Sequence, residues 1–205
     1  MTDDAPEDRR RLGGVGAGAG AIRGRSRDRR RPDPAGPGAG GAAGEREPSA
    51  EERVMHALEL AYRHLSKRDR TEAEVRHHLE RRRIGRPSVE RALAELRELG
   101  YVDDARYARR YVEDRRSIDA WGPLRIAAGL RRLGVSDALI DEALARPDEQ
   151  TDAERALGVL RARLGGSPLD DDRARGRALR MLAGRGFALE VSYDAVRAYE
   201  RGEDR

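Results

Sequence analysis

Residues 99–111 read Leu-Gly-Tyr-Val-Asp-Asp-Ala-Arg-Tyr-Ala-Arg-Arg-Tyr and combine a helix stop with a helix start. Gly100 follows an apolar series that ends at Leu99, and glycine suits the left-handed position just beyond a helix. Asp103 or Asp104 then caps a new helix, because short acidic side chains accept the unpaired N–H groups of a first helical turn. The stretch therefore predicts a joint between two helical units.

The sequence on both sides of this joint predicts further helices. Three capping-box patterns, in which Ser or Thr is followed three residues later by Glu, occur at Ser49, Thr71 and Thr151. The predicted helices before and after the joint run from 50 to 66, from 71 to about 83, from 88 to 99 and from 104 to 118. Five more are expected between residue 123 and the C-terminal region, which gives nine helices.

One pattern recurs along the chain at an almost constant spacing. In each copy, a leucine is followed five residues later by an apolar anchor and then by another apolar residue. The copies are Leu79–Ile84–Leu93, Leu130–Val135–Leu144 and Leu182–Phe187–Val196. Their anchors lie 51 and 52 residues apart, which is typical of tandem modules. The sequence therefore predicts an all-α fold of three tandem three-helix repeats in an elongated array.

We expect the three units at residues 49–102, 103–147 and 148–205, the last with a short polar C-terminal tail. Residues 1–48 contain eleven of the 23 glycines and five of the nine prolines. This segment is predicted to be disordered, because it has almost no large apolar side chain to offset the entropy of ordering. Its arginine clusters suit DNA phosphates, but a spacer of biased composition is the simpler interpretation.

The composition excludes several kinds of site. No cysteine is present, which excludes disulfides, thiol catalysis and cysteine-ligated zinc. The four histidines form no His-Glu-x-x-His pattern, and the paired aspartates are explained by helix capping. We therefore predict no catalytic residues, no metal, no cofactor and no enzymatic activity. Without an apolar run of roughly 18 residues or a secretory signal, a cytoplasmic monomer with no membrane contact is expected.

Charge is the main indication of a partner. The formal net charge is +4, and basic residues gather in the first and third units, whereas the middle is nearly neutral. Such a distribution permits binding to nucleic acid. The candidate phosphate-binding residues are Arg68, Arg70, Arg81, Arg82, Arg131, Arg132 and Arg185. Several of them lie at predicted helix C-termini, where they also complement the helix dipole, so both interpretations stay open.

A second set of candidates lies in and after the joint. Tyr101 and Tyr107 are expected to be half exposed, with hydroxyls available to a partner, and Arg106 and Arg110 accompany them. Trp121 is expected to cover the junction between helices, although it could also anchor an interface. These five residues are the candidate protein-binding site.

Four segments form a further pattern through their order and spacing. They are Tyr62-Arg-His-Leu-Ser-Lys-Arg-Asp-Arg-Thr-Glu-Ala-Glu-Val75, Leu99-Gly-Tyr-Val-Asp-Asp-Ala-Arg-Tyr-Ala108, Trp121-Gly122 and Arg185-Gly-Phe187. Taken together, these segments resemble the RecX family of recombinase regulators. The resemblance covers roughly residues 50–200. It implies a curved helical protein that binds the RecA filament on DNA, lies in the filament groove and suppresses ATP hydrolysis and strand exchange. Two alternatives stay open: a stand-alone DNA-binding repeat protein, and a structural adaptor without a nucleic-acid role.

One residue departs from the family pattern. Arg83 stands where the other repeats have Gly134 and Gly186. A left-handed arginine costs on the order of 1 kcal/mol. We therefore expect the second helix of the first unit to end differently from its counterparts.

Overall fold

The computed structural model describes residues 46–148 and 150–202, and within these ranges the chain forms nine α-helices and no strand. The helices are α1 Ala50–Leu65, α2 Glu72–Arg81, α3 Arg86–Glu98, α4 Asp104–Ser117, α5 Pro123–Arg132, α6 Asp137–Leu144, α7 Asp152–Leu164, α8 Asp172–Gly184 and α9 Leu189–Arg201. The predicted all-α class is confirmed. The predicted disordered tail lies, up to residue 45, outside the described residues.

The helices pack in three groups of three, and each group has its own apolar core. In every group the first helix packs against the third. The side chains that are fully buried at the centre of each core include Leu79 and Leu93 in α1–α3, Ile126, Leu130 and Ile140 in α4–α6, and Leu160, Leu182 and Phe187 in α7–α9. The prediction of tandem three-helix repeats is thereby confirmed, while the exact unit boundaries stay predictions.

The helix starts follow the local sequence closely. Ser49, Thr71 and Thr151 all form reciprocal capping boxes with the glutamate three residues later. Helix α3 begins two residues earlier than predicted. Gly85 occupies its N-cap position and Pro87 lies in its first turn, where the missing proline N–H has no helical partner to lose.

The middle helix of each group ends in the same way. Each helix is followed by a residue with positive φ: Arg83 at 60°, Gly134 at 81° and Gly186 at 89°. The next residue donates its backbone N–H to the leucine carbonyl five residues before it, at 3.2 Å in Ile84–Leu79, Val135–Leu130 and Phe187–Leu182. The expectation that Arg83 ends its helix differently is therefore wrong. The Arg83 side chain is exposed, so the surrounding packing allows a left-handed backbone at this residue. The hydrogen bond from the Ile84 N–H to the Leu79 carbonyl forms as in the other two groups.

The first junction joins the end of α5 to the beginning of α2. A Cβ added to Gly134 would lie 2.3 Å from the Cβ of Ala73, so only glycine allows this approach. Thr71 donates its hydroxyl to the Leu133 carbonyl at 2.6 Å. The Asp104 carboxylate accepts the Glu72 N–H at 2.8 Å and so caps α2 rather than its own helix.

The second junction repeats this arrangement between the end of α8 and the beginning of α5. A Cβ on Gly186 would lie 2.3 Å from the Cβ of Arg125 and 2.4 Å from its backbone nitrogen. The Gly122 N–H donates to the Arg185 carbonyl at 2.9 Å, and the Leu124 N–H donates to the Gly186 carbonyl at 3.1 Å. The groups therefore follow one another in a row, each resting on the middle helix of the one before.

This arrangement explains why the first group tolerates an arginine at the glycine position. No group precedes α1–α3 in the described part of the chain, and Arg83 is exposed. Glycine is required at Gly134 and Gly186 because of the close packing there, and a positive φ alone does not require it.

We predict that Gly186→Ala destabilises the protein by about 2 to 4 kcal/mol, because the strain of a left-handed alanine adds to the overlap with Arg125. Gly165→Ala is the matched control: Gly165 also has positive φ, at 57°, but nothing lies within 4 Å of an added Cβ. This control should lose only about 1 kcal/mol. Chemical denaturation measures both values, and equal losses would contradict the junction packing.

Candidate nucleic-acid interface

A basic surface forms where the C-terminal ends of α1 and α2 meet the connection between these helices. His64 of α1 and His78 of α2 stack with parallel rings, 3.9 Å between centroids and 6° between planes. The remaining members of this surface are the cations Lys67, Arg68, Arg70, Arg81 and Arg82. We refer to these seven residues as the α1–α2 basic surface.

The cations of this surface differ in their partners. Arg68 and Arg70 both donate to one oxygen of Glu74, at 2.6 and 3.1 Å. Arg81 and Arg82 are exposed, and neither side chain makes a hydrogen bond or ion pair with another described residue. Two guanidinium groups thus remain available to an external anion.

The surroundings of the imidazole pair favour the neutral form of both rings. Burial lowers the pKa of His78, and the nearby Arg82, Arg70, Arg81 and Lys67 lower it further. Burial also lowers the pKa of His64, as do His78, Arg70 and Arg68, while Glu74 opposes the shift. The lowered pKa of each ring favours its neutral form, and two neutral imidazoles stack without charge repulsion.

The joint places the predicted protein-binding residues in two kinds of environment. Tyr101 is 55% exposed and packs edge-on against Tyr62, 5.0 Å between ring centroids. Tyr107 is half-buried and stacks on Tyr111. Burial is the main reason why the pKa of Tyr107 is raised. Tyr101 is the more accessible of the two predicted tyrosines.

Both predicted arginines of the joint are engaged within the protein. Arg106 donates to the Gly100 carbonyl at 2.7 Å, which ties α4 to the preceding helix end. Arg110 donates to Asp69 at 2.6 Å and so links the first group to the second, although both side chains are about two-thirds exposed. An exposed ion pair of this kind contributes little to stability, and its arginine can exchange partners.

Trp121 and Arg185 lie at the second junction. Two guanidinium groups lie over the indole ring, with Arg125 at 4.1 Å and Arg115 at 5.2 Å from the ring centroid. Arg185 donates to the Asp119 carbonyl at 3.1 Å. This placement agrees with the expectation that Trp121 covers the junction between helices. Contacts of Trp121 and Arg185 with a partner stay predictions.

The arginine pairs at the ends of α2 and α5 are separated by the length of a helix. The end of α5, with Arg131 and Arg132, lies against the beginning of α2, whereas Arg81 and Arg82 lie at its end. A ten-residue helix is about 15 Å long. Arg131 donates to Asp137 at 2.6 Å, while Arg132 is exposed and makes no such bond in the described part of the chain. A continuous basic stripe between these two arginine pairs would therefore have to run along the whole length of α2.

A second basic region is a groove of about 1420 Å³ between α4, α7 and residues 146–148 and 150 of the connection between α6 and α7. Its lining includes the arginines Arg106, Arg109, Arg110, Arg116, Arg146, Arg155, Arg163 and Arg185. The acidic lining residues are Glu113, Asp119, Asp148 and Glu154, and none of the described residues that line it is aromatic. We refer to this concavity as the α4–α7 groove. Sequence reasoning identified three of its arginines and missed the other five.

Part of the charge in the groove holds the second and third groups together. The Asp148 carboxylate binds Arg155, whose side chain is only 5% exposed. It also lies 3.5 Å from Nη1 of Arg116, which donates from Nη2 to the Leu144 carbonyl at 2.9 Å. These contacts link the end of the second group to α7.

Three other arginines of the groove have no such role. Arg109 comes from α4, Arg146 from the connection and Arg163 from α7, and none of their side chains makes a hydrogen bond or ion pair within the described residues. A guanidinium group binds phosphate or carboxylate oxygens with two parallel hydrogen bonds. Since no aromatic side chain lines the groove, base stacking is not supported there. The groove is therefore suited to binding anionic groups and not to recognising individual bases.

The described part of the chain shows no other chemical centre. It contains no group of three or more His, Asp or Glu side chains placed to hold a metal ion. Among its helices, none combines the length and the apolar character needed to cross a bilayer.

Comparisons with known proteins agree with this architecture. Residues 57–96 match the family model described as the first three-helix domain of RecX, and residues 103–144 match the second. A regulatory protein RecX from Mycobacterium sp. strain JLS is 36% identical over 168 residues, which cover 80% of this chain and 90% of that protein. The chain belongs to the RecX family. Another regulatory protein RecX, from Deinococcus radiodurans, is 37% identical, covering 75% of this chain and 76% of its own length.

A solved RecX structure shows the same fold. The crystal structure of RecX from Lactobacillus salivarius superposes with a TM-score of 0.68 at 20% identity, covering 74% of this chain and 99% of that chain. The α4 side of the groove lies inside the matched second RecX domain, whereas α7 begins after it.

We predict that Asp148→Asn destabilises this RecX-family protein by about 3 kcal/mol, because it leaves the buried Arg155 guanidinium without its main carboxylate. Asp69→Asn is the control, since it breaks the exposed Arg110 pair and should cost less than about 1 kcal/mol. Thermal unfolding of both variants measures the difference. Similar losses would mean that Asp148 does not link the two groups.

Proposed function

We propose that this RecX-family protein binds the RecA filament on DNA and restrains its ATPase and strand-exchange activities, as a cytoplasmic monomer without enzymatic activity. Family membership supports a regulatory role. The α4–α7 groove carries the proposal, because three arginine side chains without a partner among the described residues line it together with an exposed apolar side chain.

That apolar side chain favours a protein component in the partner. Ile118 is 77% exposed and lines the α4–α7 groove. Phosphates alone would not require an isoleucine, whereas a protein surface buries apolar and charged groups together. Tyr101, which is also exposed, offers a further contact in the same chain segment.

A row of helical groups suits a repeating partner. Each group can contact a different filament subunit, so that individually weak patches act together and give strong binding. A protein that bridges several subunits hinders the rearrangements that accompany ATP turnover. Suppression of ATP hydrolysis then follows from occupancy alone and requires no catalytic group.

We predict that the triple variant Arg109/Arg146/Arg163→Gln raises the protein concentration needed to inhibit the DNA-dependent RecA ATPase by about tenfold. Three charge contacts of about 0.5 kcal/mol each correspond to this factor. The matched control is Arg91/Arg177/Arg180→Gln, which removes the same charge from exposed arginines outside the groove. It should inhibit like the wild type. Absence of inhibition by wild-type protein at stoichiometric concentration would contradict the proposed function itself.

A stand-alone DNA-binding protein is the second candidate. It is favoured by the three groove arginines whose side chains have no partner among the described residues and by the lack of aromatic residues in the described lining, which together suit bare phosphate backbone. On this alternative, affinity for bare DNA would equal affinity for the RecA filament.

We predict that Ile118→Ser weakens binding to the RecA filament about tenfold and leaves binding to bare DNA unchanged, because only a protein partner buries the isoleucine. Titrations of fluorescent DNA with and without RecA, each at several salt concentrations, measure both affinities. Equal affinities that fall with the same steep salt dependence, and are both insensitive to Ile118→Ser, would favour the DNA-binding alternative.

A further inference from the structure

We propose that the α1–α2 basic surface is a phosphodiester-binding site of a nucleic acid, in which the stacked His64–His78 pair takes up a proton when the phosphate binds. This site binds nucleic acid directly, without RecA, and therefore goes beyond the proposed function. The proposal assigns a ligand to residues that the α4–α7 groove does not use.

The geometry brings together groups that are distant in sequence. His64 lies at the end of α1 and His78 near the end of α2, and their rings are parallel at 3.9 Å. Arg82 follows His78 by one helical turn and therefore lies on the same face of α2. The surface is open to solvent, since Lys67, Arg68, Arg81 and Arg82 are all exposed.

The charges around the pair are strongly unbalanced. The groups that act on the two imidazoles are Lys67, Arg68 and Arg70 of the connection, Glu74 and Arg81 of α2, and the C-cap residue Arg82. Glu74 is the only carboxylate in this set, and Arg68, Arg70 and the Thr71 backbone already occupy it. Five cations thus face one carboxylate that is already bound. An external anion is the group that would relieve their repulsion.

An anion at this surface changes the protonation of the pair. In the free protein, burial and the surrounding cations lower the pKa of both imidazoles. A bound phosphate adds a negative charge and raises the pKa again, since an opposite charge favours the charged form. Binding is therefore coupled to proton uptake. Affinity is lowest above pH 7 and rises as the pH falls through the pKa of the bound state.

Titration of an oligonucleotide without terminal phosphates tests this coupling. Its charge is constant between pH 6 and 8, because a phosphodiester lacks the second ionisation of a terminal phosphate. We expect wild-type affinity to rise about tenfold from pH 8 to pH 6 at constant ionic strength, which corresponds to a shift of about one pKa unit on binding. Fluorescence anisotropy of the labelled oligonucleotide, recorded in the absence of RecA, measures the affinity at each pH.

The chain provides a matched control for the histidines. His56 and His77 are the other two, and both are exposed on the same two helices. The double variant His64→Gln/His78→Gln should lose the pH dependence and keep the affinity measured at pH 8. The control His56→Gln/His77→Gln should keep the wild-type pH dependence. Equal pH dependence in all three proteins would overturn the proposal.

A measurement on the unmodified protein covers the case in which the double variant does not fold. NMR titration of the wild-type imidazole signals should show that saturating oligonucleotide raises two of the four histidine pKa values. Unchanged values would overturn the proposal. Inhibition of the RecA ATPase, measured separately with the same variants, distinguishes this result from failure of the proposed function.

Discussion

The close approach of two backbones at each junction is the constraint on which the rest of the structure depends. Gly134 and Gly186 lie so near the first turns of α2 and α5 that no side chain fits between them. Hydrogen bonds from Thr71, Gly122 and Leu124 are possible only at this distance. Each group is thereby fixed on the one before it. The α4–α7 groove lies between the second and third groups, which the second junction joins.

The same residue type has two roles in this protein, and the partner of each arginine decides between them. Arg155 and Arg116 bind Asp148 and hold neighbouring groups together. Arg125 and Arg115 flank Trp121 at the second junction. Arginines without a partner in the described residues, such as Arg109, remain available to bind an anion. A high content of charged residues therefore does not by itself indicate how much of the surface can bind.

Local patterns in the sequence predicted much of the fold, because helix starts and ends depend on a few neighbouring residues. The capping boxes and the repeated anchors are of this kind. The prediction for Arg83 was wrong because the sequence indicates the energetic cost of a left-handed arginine. It does not indicate that no other described group packs against this residue. The two aspartates of the joint looked equivalent, and only tertiary packing directs Asp104 to α2.

The candidate sites were less predictable, because they depend on which helices become neighbours. The spacing of Arg106, Arg109, Arg110 and Arg116 indicates one face of α4, but nothing in it indicates that α7 lies opposite. The stacking of His64 on His78 joins residues fourteen positions apart on different helices. Neither juxtaposition has a signal in the local sequence.

An electron-microscopy map of the full-length protein bound to a RecA filament on DNA tests the central claim most directly. We expect density along the filament groove, with the α4–α7 groove facing RecA subunits and each helical group contacting a different region of the filament. Density confined to filament ends, or a bound protein whose α4–α7 groove faces solvent, would contradict it.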